Sequence, residues 1–494
     1  MAEFAAAPVS DALSTASQFS PAQYPANRKA AMAILLMASF MNLIDVTVVN
    51  GALPSMASTL GATSSQLQWV VAAYTLAFSL GLLPFGRLGD TFGRRRMFLL
   101  GVGAFTFASL LCGLAPSIEW LIFARVLQGL AGAMMTPQTL AIAQVIFPPE
   151  ERAGIFALFG FASGLAAVTG PLLGGFLIHL DIAGLTWRPI FLINIPVGIL
   201  AIVLGLKTIP KLAGVRTLGV DFVGIALAAL ALLLITYPMI EGRSHGWPMW
   251  TFAMILASLP LFYAFVKWQQ RQSMKGAPEV LPASLLSNRA FITNALLSSL
   301  FFSVIPGFFF AFTFYFQAGY GFEPYQSGIA SLPFSFGVLF ASAFSSRLGT
   351  KGQTQRLFGG AILLAAAFIT MNFLSSPDNP PTVWRYAIPL LAGGVGLGLS
   401  VSPMFQRALG SVVGRDAGAA SGGLQAIQQA GGALGVAITG ELFFAQLART
   451  GGATPGPDAY TAAFHLSLWY GVIAFIIVAI SAVRGPKVQA SKPA

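Results

Sequence analysis

Residues 67–116 hold two apolar runs of about twenty residues, and between them lies Gly86-Arg-Leu-Gly-Asp-Thr-Phe-Gly-Arg-Arg-Arg96, with five charges in eleven positions. A run of that length matches the roughly 20 residues that an α-helix needs to cross a bilayer core about 30 Å thick. The charged stretch therefore reads as a short polar loop between two membrane helices. The same alternation continues along all 494 residues. Charged residues make up only 9% of the chain and apolar ones 56%, whereas a soluble domain has roughly 25% charged residues. Mean hydropathy is +0.76.

Apolar runs bounded by charge, Gly or Pro predict fourteen spans, at 31–52, 67–86, 97–116, 119–147, 154–178, 188–207, 219–240, 249–268, 290–316, 325–346, 357–374, 385–408, 419–446 and 462–483. The fold class expected is an all-α polytopic membrane protein. An even count with both ends in the cytoplasm makes a prediction that charge can check. Of 27 Lys and Arg, 22 then fall on the cytoplasmic side, Arg188, Arg243, Arg385 and Arg449 fall outside, and Arg125 sits within a span. That asymmetry is the positive-inside pattern, and one span more or fewer would scramble it. The formal charge of +11 is thus accounted for by topology, with no nucleic-acid partner implied.

The first 27 residues are rich in Ala, Ser and Pro, with no basic start and no apolar core, so they read as a disordered cytoplasmic tail rather than a signal peptide. Cys112 is the lone cysteine, which excludes an intramolecular disulfide. No pair among His179, His245 and His465 has metal-ligand spacing, so neither a metal nor another cofactor is expected. Connectors of about twenty residues at most leave no soluble domain for catalysis, and no nucleotide-binding G-x-x-x-x-G-K-[ST] occurs, so an enzyme is not expected. Trp69, Trp120, Trp187, Trp247, Trp250, Trp384 and Trp469 fall near outer span ends and read as interfacial anchors. Arg87-Leu-Gly with Asp90 is echoed by Arg347-Leu-Gly with Thr350, which suggests two related halves of which only the first keeps the carboxylate.

Four segments fit one pattern in order. They are Leu43-Ile-Asp45-x-Thr47-x-Val49-Asn50-x-Ala52-Leu53-Pro54, Gly86-x-x-x-Asp90-x-x-Gly93-Arg94-Arg95, Arg125-x-x-Gln128-Gly129-x-x-Gly132, and Gly170-Pro171-x-x-Gly174-Gly175. Together they resemble the major facilitator superfamily. With fourteen spans and Trp187-Arg188-x-x-Phe191-x-Ile193-Asn194-x-Pro196 before span 6, the chain is most similar to its fourteen-span drug:proton antiporters. The resemblance implies a tail over 1–29, a six-helix bundle over 30–208, two additional spans over 209–275, a second bundle over 276–485 and a tail over 486–494. It implies proton-coupled efflux of small, mostly apolar or amphipathic compounds by alternating access in the cell membrane. The same fold would serve a dedicated exporter of one metabolite, acid or siderophore, and a periplasmic adaptor protein is a candidate partner.

Asp45 is the acid well inside a span, where an unpaired carboxylate costs several kcal/mol. At about 1.5 Å per residue it lies roughly 8 Å below the outer boundary, and Arg125, on an oppositely directed span, lies about 9 Å below it. The two charges are expected to meet. Asp45 is then the proton carrier and Arg125 the fixed charge that favours its carboxylate until substrate or a conformational step weakens the pairing. A purely structural ion pair between spans 1 and 4 is the alternative.

Gly86, Asp90, Gly93, Arg94 and Arg95 are expected to latch the cytoplasmic side, with Asp90 at the N-terminus of span 13 near Gly418 to Gly423. The arginines also serve as topology markers. Gly170, Pro171, Gly174 and Gly175 strip bulk from span 5, which suits both a rocking interface and ordinary helix packing. Span 9 carries Phe301, Phe302, Phe308, Phe309, Phe310, Phe312, Phe314, Tyr315 and Phe316 around its whole circumference. Phe308, Phe312 and Tyr315 share a face that could line a cavity for flat compounds, together with Asn42, Gln128 and Gln425. Lipid and neighbouring spans compete for the same rings.

Overall fold

The computed structural model describes residues 25, 27–211, 219–349, 351–378, 380–410, 412, 416–450 and 455–484. The tails 1–24 and 485–494, and Thr350, lie outside them. Long helices occupy each apolar run: α1 (Arg28–Leu60), α2 (Ser64–Phe92), α3 (Arg94–Gly113), α4 (Ile118–Ile146), α5 (Pro149–His179) and α6 (Asn194–Thr208). They are followed by α7 (Phe222–Glu241), α8 (Met249–Met274), α9 (Arg289–Phe314), α10 (Pro324–Arg347), α11 (Gln353–Leu374), α12 (Ala387–Leu409), α13 (Ala417–Thr450) and α14 (Pro457–Arg484). A four-residue helix, Pro189–Leu192, leads into α6, and a π-turn, Tyr315–Gly319, extends α9. Among the described residues, 13 helices are long and apolar enough to cross a membrane. The helix outside that count, α5, is 31 residues long, and many of its side chains lie outside the described set.

Local chemistry fixes several ends. Gly61 closes α1 in the left-handed region at φ 62°, its N–H reaching the Ala57 carbonyl. Thr63 and Gln66 open α2 with reciprocal side-chain to backbone bonds. Asp221 caps α7 and also accepts from Trp268 and Gln269 near the end of α8, each at 2.8 Å. That buried carboxylate ties α7 and α8 into a hairpin.

The stretch expected as a polar loop is mostly helix. α2 continues to Phe92, Gly93 alone breaks it at φ 98°, and α3 starts at Arg94. The chain can turn on one residue because glycine tolerates positive φ, while the charges sit on the ends of two helices. Trp187 is a second correction. It is fully buried, donating to Thr59 Oγ1 at 2.8 Å, because its hydrogen-bonded connector folds under the helix ends instead of facing the lipid boundary.

Packing repeats along the chain. In the first six helices α2 packs on α4, α3 on α4, α1 on α5 and α3 on α6; in the last six α10 packs on α12, α11 on α12, α9 on α13 and α11 on α14. A shift of eight helices maps one set onto the other. The two sets meet along α2 with α13 and α5 with α10. α7 rests against both α2 and α13, whereas α8 packs mainly on α7. The aromatics of α9 face neighbouring spans: Phe308 stacks on Phe368 at 4.8 Å, and Tyr315 on Phe464 at 4.4 Å. Phe308 and Tyr315 thereby join the core of the second set.

Candidate functional site

α1 and α4 bring Asp45 and Arg125 together at one depth, as their opposite directions require. Arg125 Nη1 lies 2.5 Å from Asp45 Oδ2, and each residue is 1% exposed. The pair does not stand alone. Gln128 Nε2 donates to Asp45 Oδ1 at 2.7 Å, and Asn194 Nδ2 donates to the same oxygen at 3.2 Å. Ser109 on α3 accepts from both amides, at 2.9 and 3.2 Å. Arg125 also donates to the Gln128 carbonyl oxygen at 2.7 Å and to the Val70 backbone carbonyl at 3.1 Å, and its guanidinium lies 4.1 Å from the Tyr74 ring centre. Buried charge is tolerated only when paired and hydrogen-bonded, and four helices supply those partners here.

Glycine makes the approach possible. A Cβ on Gly129 would run into the Tyr74 carbonyl, and one on Gly132 into the Asn42 amide. Asn42 donates to the Tyr74 hydroxyl at 2.9 Å, so it buttresses the ring over Arg125. Gln128 is likewise a partner of the ion pair.

A cavity of about 210 Å³ lies elsewhere, among α1, α5, α9, α10 and α12. Val46, Thr47 and Asn50 line it from α1, Phe309 and Phe312 from α9, and Phe334 from α10. Of the six residues named for a cavity from the sequence, Phe312 lines this one. Phe308 and Tyr315 are buried in the aromatic core, and Gln425 is half-buried on α13. Pro171 does line it, on the α5 glycine stripe. Gly170 and Gly174 face Thr47 and Val48 of α1, and Gly175 faces α10, where an added Cβ would sit 2.5 Å from Tyr325 Cα.

Arg28 at the start of α1 and Arg484 at the end of α14 mark one face, as an even number of alternating helices requires. At that face Asp90 pairs with Arg94 at 2.9 Å, Arg94 also reaches the Ala141 carbonyl, and Arg95 reaches the Leu206 carbonyl. Gly86 lies against Pro137, and Gly93 is the break described above. Among the described residues Asp90 meets Arg94, and near the start of α13 Leu83 approaches Gly422. At the opposite face the two sets are clasped. His179 meets Glu323 at 2.9 Å, Gln317 donates to the Gly51 carbonyl at 3.1 Å, and Arg243, in the α7–α8 connector, meets Ser64 and Glu441.

Sequence reading missed Asn194, Ser109 and Tyr74. Asn194 carried a signal, since a carboxamide in the Trp187 to Pro196 segment stands at the start of an apolar run. Ser109 carried none beyond being polar in a span.

An all-helical membrane protein of two matched bundles, with a caged ion pair and a cavity between the bundles, has the form of a transporter. The family model for the Major Facilitator Superfamily matches residues 35–436. This chain belongs to that superfamily and is a multi-pass membrane protein. It is 38% identical to a "Probable actinorhodin transporter" of Streptomyces coelicolor, over 85% of this chain and 73% of that one. It is 35% identical to the puromycin resistance protein of Streptomyces alboniger, covering 82% and 80%. It is 30% identical to the methylenomycin A resistance protein of Bacillus subtilis, covering 82% and 86%. Among solved structures, a bacterial homologue of the human lysosomal transporter Spinster superimposes with a TM-score of 0.65 at 18% identity, covering 94% and 99%.

Proposed function

We propose that this protein exports small, mostly apolar or amphipathic compounds across the cell membrane in exchange for protons, as a multidrug exporter working by alternating access. The observation that carries the reading is the caged Asp45–Arg125 pair, 1% exposed and held by Gln128 and Asn194. The relatives named for antibiotic transport or resistance support the cargo class.

Asp45 holds and releases the proton. In the state described it is closed to water, so exchange requires the α1–α4 contact to loosen. Protonation removes one charge of the pair and most of its attraction, while Arg125 keeps Gln128, Val70 and the Tyr74 ring as partners. Residues 30–208 and 276–485 are the moving bundles, with 209–275 the inserted hairpin. Gly170, Pro171, Gly174 and Gly175 form the close surface across which they rock. Gly86, Asp90, Gly93, Arg94 and Arg95 latch the terminal face, which the 22-to-4 bias of basic residues assigns to the cytoplasm. The clasp at the other face makes this state closed to the outside.

The test is export from proteoliposomes under an imposed pH gradient, with a panel of unrelated compounds as competitors. Accumulation that ignores the gradient rejects proton coupling. A second reading, a dedicated exporter of one metabolite, is favoured by relatives whose names each carry a single antibiotic. It is the outcome if unrelated compounds do not compete. An acid or siderophore is disfavoured by a cavity lining without a charged side chain.

A further inference from the structure

The four α1 residues that line the cavity, Val46, Thr47, Asn50 and Gly51, share one helix face. At roughly 100° per residue their mean direction is about 170° away from Asp45. The carboxylate therefore points to the far side of α1, where Arg125, Gln128 and Asn194 occupy both its oxygens. Among the described residues, no Asp, Glu, Lys, Arg or His lines the cavity.

Most of the polar lining is already spent. Thr47 Oγ1 donates to the Ile44 carbonyl at 3.0 Å, Ser331 Oγ to the Gly328 carbonyl at 2.7 Å, and Ser327 Oγ to the Pro324 carbonyl at 2.9 Å. Ser327 also accepts from Gln317 at 2.7 Å. Asn50 differs: its side chain is half-buried, and its amide oxygen, closed to solvent, has no hydrogen-bond partner among the described residues. An amide oxygen closed off and unpaired beside an otherwise apolar wall costs free energy until the side chain turns and something satisfies it. The aromatic wall has a defined shape. Phe309 stands edge-on to Phe334 at 5.2 Å and 85°, and to Phe312 at 6.4 Å and 73°. Rings at right angles form a corner in which a flat ligand stacks on one face and meets the edge of the next.

We propose that this cavity is a binding site for uncharged, planar aromatic compounds bearing one hydroxyl, carbonyl or amide group, and that Asn50 is the residue that reads that group. This rests on the export reading given above and narrows its cargo. Cations are excluded because the nearby acid faces the other way and is already neutralised. The carboxamide can present oxygen or nitrogen by turning about its terminal bond, so it serves donor and acceptor ligands alike. Proton and cargo then occupy opposite faces of one helix and do not compete for a shared carboxylate.

The full chain in lipid nanodiscs, with protein-free discs as the blank, is tested by equilibrium dialysis against three probes. These are α-naphthol, the isosteric α-methylnaphthalene, and naphthyl-trimethylammonium, a permanent cation on the same ring. The wild type should bind both neutral probes, and the cation at least a hundredfold more weakly. Asn50→Leu should weaken α-naphthol about tenfold and leave α-methylnaphthalene no weaker, which also reports an intact cavity. Ser331→Leu, which pushes a bulkier side chain into the cavity, should weaken both. Equal binding of the cation by the wild type overturns the proposal without any variant, as does an Asn50→Leu protein that still binds α-naphthol like the wild type. If Asn50→Leu does not fold, Asn50→Ser takes its place with the same expectation. Failure of the export reading looks different: the wild type then moves no compound against a pH gradient, whatever it binds.

Discussion

Asp45→Asn separates a coupling carboxylate from a structural one. The substitution leaves Arg125 buried without its counter-charge, a loss that costs about 3–5 kcal/mol when one member of a buried pair is removed. Part of it is offset locally. Arg125 keeps the Gln128 oxygen at 2.7 Å, the Val70 carbonyl at 3.1 Å and the Tyr74 ring at 4.1 Å, and a desolvated cation–π contact is worth about 2 kcal/mol. The asparagine oxygen also remains an acceptor. A net destabilisation of about 1–3 kcal/mol follows from these principles, read as a lower melting temperature in detergent. One proton moving down 100 mV and one pH unit supplies roughly 2.3 plus about 1.4 kcal/mol. That sustains a several-hundredfold gradient of a neutral compound. In everted vesicles the variant should lose this uphill accumulation and keep downhill exchange of labelled for unlabelled substrate. Adding Arg125→Gln removes the orphaned cation and should restore most of the melting temperature without restoring accumulation. If either the single or the double variant accumulates substrate under a pH gradient like the wild type, the proton does not ride on Asp45 and the reasoning fails.

Three further outcomes are expected. Gln128→Ala takes one of two amide donors from Asp45 Oδ1 and should cost about 1–3 kcal/mol and depress pH-driven export; unchanged melting and transport would show the cage to be idle. Gly175→Val places side-chain atoms against the α10 backbone, where a Cβ alone falls 2.5 Å from Tyr325 Cα. It should spread the clasp and speed maleimide labelling of an introduced Val46→Cys from outside, whereas an unaltered rate would mean that α5 and α10 do not close the pathway. Asp90→Ala removes a half-exposed i,i+4 pair with Arg94, worth no more than about 0.5 kcal/mol, so stability should hold. Labelling of Val46→Cys from the cytoplasmic side should rise, and no rise would count against a latch at this position.

The spans were legible because hydrocarbon leaves a chain few choices. Each backbone amide must be satisfied within its own helix, so an apolar run such as 249–268 maps onto a helix, Met249–Met274, with little help from tertiary contacts. The connector at 86–96 was not legible, since polar side chains at a helix end and in a loop look alike, and Gly93 alone decides where the axis turns. Trp187 shows the same limit. An indole near a span boundary suits the interface by composition, and only a folded connector puts Thr59 within 2.8 Å of it.

The ion pair could be read from one dimension because two charges inside antiparallel spans at equal depth have few other partners. Its cage could not: Ser109 lies on α3 and Asn194 at the head of α6, and their convergence on Asp45 depends on how four helices rotate about their axes. The cavity depended on rotation still more. An aromatic-rich helix such as α9 offers rings in every direction, and packing against α11 and α14 consumed Phe308 and Tyr315 while leaving Phe309 and Phe312 to line the cavity. The chain by itself determined that it lives in a bilayer, which segments form its long apolar helices, and which charges are costly enough to require partners. Tertiary structure decided which way each helix faces, because helix rotation is set by side chains from other helices and no local periodicity survives in spans that are apolar all round.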